Sequence, residues 1–192
     1  MRIADPEKLP RILVAAAELF AEMPFDAVHM KDIAKRADVA KGTLYLHFSD
    51  KESLFRAMIA EVLGKQLDQV EARIAAESEP GERLRILVRE AVRFSARYPH
   101  YMETIHHLDG SPPREADATI RGGRERLFVL FEETLRGLRR PGTTPEQEIG
   151  RATLALLGMM HRVMAFTPRP WPDDLDEWII KMFIFGFSRP YP

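Results

Sequence analysis

Residues 32–54 read DIAKRADVAKGTLYLHFSDKESL. Ile33, Ala34 and Ala37 fall on one face of a short helix expected near 30–37. Asp38 then breaks the pattern, and Val39, Leu44 and Phe48 mark the inner face of a second short helix near 40–47. A turn at Asp38 needs a residue that tolerates the left-handed conformation; Gly is usual, and Asp is an acceptable, slightly costlier substitute. Lys41, Gly42, Thr43, Tyr45 and His47 are left facing outward or at the rim. Two short helices about a tight turn form a helix-turn-helix, whose second helix can enter the major groove of DNA while the first steadies it.

Helical spacing continues on both sides of this frame. Leu9, Ile12/Leu13, Ala16/Ala17 and Leu19/Phe20 recur at i, i+3/4, i+7 and predict a helix over 8–22, which Pro24 forbids from continuing. Downstream, Ser49-Asp50-Lys51-Glu52 reads as a capping box, with Ser49 as N-cap and Glu52 three residues later. It opens a long helix expected to reach Ala76. A helix over 81–97 follows Pro80-Gly81 and stops before Pro99, and a short one is expected over 100–108. Asp109-Gly110-Ser111-Pro112-Pro113 is the clearest internal loop. Ile120, Leu127, Leu130/Phe131, Leu135 and Leu138 then mark a long helix, with a bend or delayed start expected at Gly122-Gly123. Thr144 as N-cap and Pro145 at the first position start the next helix, which runs to Phe166. Pro168, Pro170 and Pro172 form a stiff connector to a last helix over 173–187. The expected fold class is all-α with about nine helices. Residues 1–50 form the helix-turn-helix domain and 51–192 a larger helical domain.

Composition bounds the function. With 45% apolar and 30% charged residues the chain has an ordinary globular balance, and the absence of Cys excludes disulfides, thiolate metal sites and Cys nucleophiles. A net charge of −1 argues against a chain coated in nucleic acid along its length, but leaves room for a local face. Between His29 and Arg56 six cations (residues 31, 35, 36, 41, 51, 56) meet four anions (32, 38, 50, 52). Neither Ile12–Ala17 nor Ala152–Phe166 offers the roughly 18 uninterrupted apolar residues of a membrane span, so a cytoplasmic location and no membrane partner are expected.

From Ile12 to about Ile59, with AAAELFAE followed by DIAKRADVAKGTLYLHFSDKESLF, the chain resembles the amino-terminal domain of the tetracycline-repressor (TetR) family. The Lys-Gly-Thr-Leu-Tyr-x-His-Phe-x-x-Lys core carries the resemblance. It implies that Lys41, Gly42 and Thr43 open the recognition helix, where the family touches base edges and backbone. It implies phosphate contacts for Tyr45 and Lys51, a further backbone contact for Lys31, and a groove-rim position for His47. Three positions depart from the family pattern. His29 stands where a Thr or Ser cap is usual, Ala40 where a Ser caps the recognition helix, and Pro24 where a Gly commonly precedes the aromatic Phe25.

In the larger domain Ile149, Ala152/Thr153, Leu156/Leu157, Met160/His161 and Met164 form an apolar stripe, and the last helix is apolar nearly all round. Such a helix needs a partner surface, and a second copy of the chain is the economical one. The resemblance implies the same two helices as the dimer seam, with Leu156, Met160, Met164, Leu175, Trp178, Ile179 and Met182 as candidates. It also implies an apolar or amphipathic small-molecule effector among the middle helices, for which Phe94, Tyr98, Met102, His106, Phe128, Phe131 and His161 are the candidate lining. The reading is thus a homodimeric, ligand-responsive regulator, most simply a repressor, on a palindromic DNA operator, with no cofactor and no metal.

Two rivals stand beside it. One is a ligand-independent DNA organiser on the same frame. The other is a helical-bundle metalloenzyme, suggested by Glu103-x-x-His106, the spacing of di-iron bundles; the second copy of that motif is missing, and adjacent His106 and His107 point about 100° apart. No P-loop, dinucleotide fingerprint or nucleophile elbow occurs, so no catalytic residue is assigned.

Overall fold

The computed structural model describes residues 7–99, 115–139 and 145–187. These form eight α-helices and two 3₁₀ turns, with no strand among the described residues. The helices are α1 Lys8–Glu22, α2 Met30–Arg36, α3 Lys41–His47, α4 Lys51–Ala76, α5 Pro80–Arg97, α6 Glu115–Leu138, α7 Ile149–Phe166 and α8 Leu175–Phe187. The 3₁₀ turns are Phe25–Ala27 and Glu146–Glu148. The helix expected over 100–108 lies outside the described residues, as do its loop and Thr144.

The chain divides into two compact units, residues 1–66 with 98–123, and residues 67–97 with 124–192. In the first, the apolar stripe of α1 is buried as spaced: Ile12, Ala15, Ala16, Leu19 and Phe20. Ile33 and Ala34 of α2, Leu44 of α3, and Leu54, Phe55, Met58 and Ile59 of α4 complete the small core. Each large side chain withdrawn from water contributes roughly 1.5–3 kcal/mol, the main term holding such short helices in place. Phe20, Phe25 and Phe55 pack as a triad, with Phe20 stacked on Phe25 at 5.6 Å and both meeting Phe55 edge-on at 4.8 and 5.3 Å.

The turn between α2 and α3 is a Schellman motif. The Val39 amide donates to Ala34 O (3.0 Å) and the Asp38 amide to Lys35 O (3.2 Å), while Asp38 takes φ 51°. Asp38 is the non-glycine residue in the left-handed region that the sequence anticipates. The motif leaves the carbonyls of Ala37 and Asp38 to be satisfied, and Arg11 reaches across from α1 to do so. Its Nη2 donates to Ala37 O (2.6 Å), Asp38 O (3.0 Å) and the Asp38 carboxylate (3.1 Å).

In the second unit Leu84, Leu87 and Val88 of α5, Phe131 and Leu135 of α6, Leu156 and Met160 of α7, and Ile179 and Phe183 of α8 share one core. Arg89 of α5 donates to Asp176 at the start of α8 (2.8 Å). Burial pushes the Asp176 carboxyl up, but the Arg89 hydrogen bond and charge, with backbone donors, outweigh it and hold the group below its ordinary value. The pair therefore stabilises above the unfolded carboxylate range and is lost as pH falls through the depressed folded value. Arg126 of α6 clasps Glu71 and Asp68 of α4 at 2.7–2.9 Å. A Cβ on Gly137 would meet the Pro80 ring at 3.0 Å, so close passage of α6 past the start of α5 needs the glycine.

Three expectations need correction. Gly122 and Gly123 do not delay α6, which begins at Glu115 and runs through both. Pro145 heads a 3₁₀ turn, and the α-helical part of α7 starts at Ile149. The N-cap of α4 is Asp50: its Oδ1 accepts from the Ser53 amide (2.6 Å), and Ser53 Oγ accepts from the Asp50 amide (3.3 Å). Ser49 lies one residue too early and only donates its hydroxyl to Asp50 (3.0 Å). Glu52, freed of the capping role, accepts from Nε of Arg56 (3.2 Å), a guanidinium only 1% exposed.

Asp38→Val places a β-branched side chain in the left-handed region and is expected to lower stability by about 1–2 kcal/mol, whereas Asp38→Gly is expected to preserve it. Urea-unfolding midpoints followed by circular dichroism compare the two.

Candidate nucleic-acid interface

α3 is a two-turn helix with one strong anchor. Leu44 is 0% exposed and Phe48, one turn on, is also buried. At about 100° per residue the remaining positions divide into three rows around that anchor. Lys41 and Tyr45 share one flank, Thr43 and His47 the other, and Gly42 and Leu46 point directly away from the core. Ala40 occupies the N-cap with no side-chain hydrogen bond, so the helix forgoes about 1 kcal/mol of capping. His29 likewise caps α2 without a side-chain bond.

The Lys41/Tyr45 flank opens onto a depression of about 420 Å³ lined by Val28, His29, Met30, Lys31, Lys41, Tyr45 and Lys51. Four of the seven sequence-expected DNA contacts, Lys31, Lys41, Tyr45 and Lys51, thus come from three different helices to one place. Three ammonium groups and a phenol with no carboxylate in the lining make an anion seat, suited to a phosphate. Thr43, half-buried, and the exposed Gly42 and His47 belong to the other rows and do not line it. The seven candidates therefore form one surface with two chemistries: an anion seat on one side and a helix edge on the other.

Lys51 is held rather than loose. Its Nζ donates to Phe25 O at 2.7 Å and lies 4.3 Å from the centroid of the Phe25 ring, a cation–π contact. Those contacts turn the ammonium toward the 3₁₀ turn Phe25–Ala27. An ammonium has three protons, so the carbonyl does not exhaust its capacity to donate. Lys41 Nζ lies 5.7 Å over the Tyr45 ring, which keeps that pair on one flank.

Sequence reasoning missed Phe25 as the holder of Lys51, Arg11 as the clamp on the turn, and His29 as a wall of the depression. The first two are contacts between residues 26 or more apart, for which a single sequence carries no local signal. Asp50 was legible: Asp50-x-x-Ser53 has capping-box spacing too, and overlapped the Ser49 reading by one residue.

In the second unit the other candidates are distributed unevenly. Phe131 is fully enclosed in its core, Phe94 is buried, and Phe128 and His161 are half-buried. Tyr98 is buried and belongs to the first unit, while Met102, His106 and Glu103 lie outside the described residues. Of the seam candidates, Leu156, Met160, Met164, Leu175 and Ile179 are buried within the chain itself, leaving Trp178 at 45% and Met182 at 52% exposure. Leu154 and Phe166 of α7, not singled out from the sequence, are exposed too. Among the described residues no three metal-binding side chains converge, and no helix is long and apolar enough to cross a membrane.

A family model described as bacterial regulatory proteins, tetR family, matches residues 12–58, and one described as tetracyclin repressor-like, C-terminal domain, matches residues 77–165. An uncharacterized HTH-type transcriptional regulator, YvdT of Bacillus subtilis, is 35% identical over 91 residues, 47% of each chain. A fatty acid metabolism regulator protein of the same organism is 32% identical over 81 residues, 42% of each. The chain thus spans about half the length of the curated relatives it matches. The crystal structure of a transcriptional regulator FadR from Bacillus subtilis in complex with stearoyl-CoA superposes with a TM-score of 0.69 at 19% identity, covering 93% of this chain and 99% of that one.

Two outcomes are expected at this surface. Lys51→Ala is expected to weaken binding to duplexes of every sequence and to flatten the salt dependence by about one unit of slope, read by fluorescence anisotropy across a salt series. Asp50→Ala is expected to cost about 1 kcal/mol of stability and Ser49→Ala nearly nothing, by comparison of unfolding midpoints.

Proposed function

The chain belongs to the tetR family of bacterial regulatory proteins, and from that premise we propose that it is a homodimeric transcriptional repressor released from a palindromic operator by a small amphipathic effector. The observation that carries the DNA half of this reading is the convergence of Lys31, Lys41, Tyr45 and Lys51 on one carboxylate-free depression beside the outer face of α3. Phosphates docked there fix the register of the protein on the duplex, and α3 is then delivered to base edges. Thr43, with a hydroxyl and a methyl, suits either a base edge or a thymine methyl, and His47 beside it the groove rim.

The dimer half is supported by apolar surface left over after the chain has folded. α7 exposes Leu154, Ala155, Gly158, Ala165 and Phe166, and α8 exposes Trp178 and Met182. Small residues let helices approach closely, and the large ones gain by leaving water, so a second copy is the occupant we assign. The seam is therefore proposed on these outward positions, with the buried Leu156, Met160, Met164, Leu175 and Ile179 acting as the floor beneath them. Two copies related by a two-fold axis would hold their α3 helices about 34–36 Å apart, one turn of DNA, or a multiple of that.

For the effector we propose an acyl-coenzyme A thioester. The support is the fatty-acid metabolism regulator among the relatives and the stearoyl-CoA held by a protein of the same fold. α4 gives its first sixteen residues, Lys51 to Gln66, to the first unit and the remainder to the second, so the helix that carries Lys51 is covalently common to both. An effector taken up by the larger domain, residues 51–192 in the functional division, would act on DNA binding through that helix.

The test is a duplex selected from a random pool by the purified protein. It is expected to be palindromic, to be bound by a dimer, and to be released by stearoyl-CoA but not by free coenzyme A. A duplex that survives both would remove acyl thioesters from the reading. Trp178→Glu is expected to give monomers in sedimentation velocity and to lose most operator affinity; a variant that stays dimeric would place the seam elsewhere.

A further inference from the structure

Leu46 is 87% exposed, more than any other large apolar side chain among the described residues. It lies opposite Leu44 on α3, at the outermost point of the helix, and one turn from it stands Gly42. A Cβ on Gly42 would meet nothing of the protein within 4 Å, so internal packing does not require the glycine. The outermost row of the helix therefore pairs a residue that adds no bulk with a bare isobutyl group. Lysines occupy the flank, and neither residue of this row offers a side-chain donor or acceptor.

In the major groove each base edge presents hydrogen-bonding atoms except for one apolar feature, the C5-methyl of thymine. A leucine pushed against hydrogen-bonding edges would strip their water without replacing it, at a cost. Against a methyl it recovers the favourable term for apolar surface leaving water. Gly42 lets the backbone of α3 come close enough for a side chain of this length to reach the base plane. We propose that Leu46 is a specificity-determining residue that packs on the C5-methyl of a thymine, a role that rests on the DNA-reading function above. The residue thus adds a base preference at its own position, separate from the anion seat, and distinct from the Thr43/His47 flank.

The test removes the methyl rather than the base. Duplexes are selected from a random pool with the wild-type protein, and each dT of the consensus half-site is replaced in turn by deoxyuridine, which pairs identically. At one position the wild type is expected to lose about three- to tenfold in affinity, the scale of one buried methyl contact. Leu46→Ala is expected to bind that thymine duplex correspondingly more weakly, to lose nothing further on the deoxyuridine change, and to keep the wild-type salt slope. Leu46→Met is expected to restore methyl sensitivity. Leu46→Ala retaining the wild type's sensitivity at every dT overturns the assignment, as does a wild type indifferent to all the methyls. Failure to enrich any duplex at all overturns the DNA-reading function itself, and is told apart by the absence of bound DNA in the first round.

Discussion

A single left-handed residue sets the geometry of the helix-turn-helix. Asp38 closes α2 in a Schellman motif and re-aims the chain into α3, and Arg11 of α1 ties off the two carbonyls that the turn leaves over. The ion pair in that clamp is weak, since the Asp38 carboxylate is almost wholly exposed. The backbone hydrogen bonds matter more, because they fix three elements relative to one another with one planar group. α3 has only seven residues and an uncapped start, and would not persist alone. It holds its direction because Leu44 and Phe48 are buried below it and the turn before it cannot swing.

The same economy places the cations. Net charge is −1, so no general basicity draws the chain to DNA. Instead Lys31, Lys41 and Lys51 are gathered in one depression with no acid in its lining, while other basic residues are neutralised by partners: Arg36 by Glu18 and Glu22, Arg56 by Glu52. Lys51 is aimed by a carbonyl and a ring, both belonging to Phe25, and Phe25 is in turn fixed by the aromatic triad. Core packing thus determines the position of a surface charge, which lowers the entropy that a long lysine would lose on meeting a phosphate.

The second unit divides its apolar residues between its own core and its surface. Five of the seven residues expected at a dimer seam are consumed internally, and the exposed remainder belongs to the same two helices one row further out. Its ion pairs, Arg89 with Asp176 and Arg126 with Glu71 and Asp68, join helices distant in sequence and lock α5 to α8 and α6 to the second half of α4.

Periodicity determined the helices, because a 3.6-residue apolar repeat is a local property: the bounds of α1 and the end of α4 fall on the expected residues. The motif from Asp32 to Leu54 likewise determined the turn and the inward anchors Leu44 and Phe48, since its spacing is short and its chemistry specific. What a linear reading could not decide is which of two adjacent polar residues caps α4, that two glycines would ride inside α6, that the apolar stripe of α7 is spent within the chain, and which side of α8 faces inward. Those depend on contacts made across the chain. A cap is chosen by the geometry of the first turn, a glycine is tolerated when packing outweighs its entropy cost of about 1 kcal/mol, and an all-round apolar helix has no inner face until its neighbours supply one. The tertiary structure alone placed Arg11 under the turn and Phe25 beneath Lys51, because both contacts join residues 26 apart in sequence.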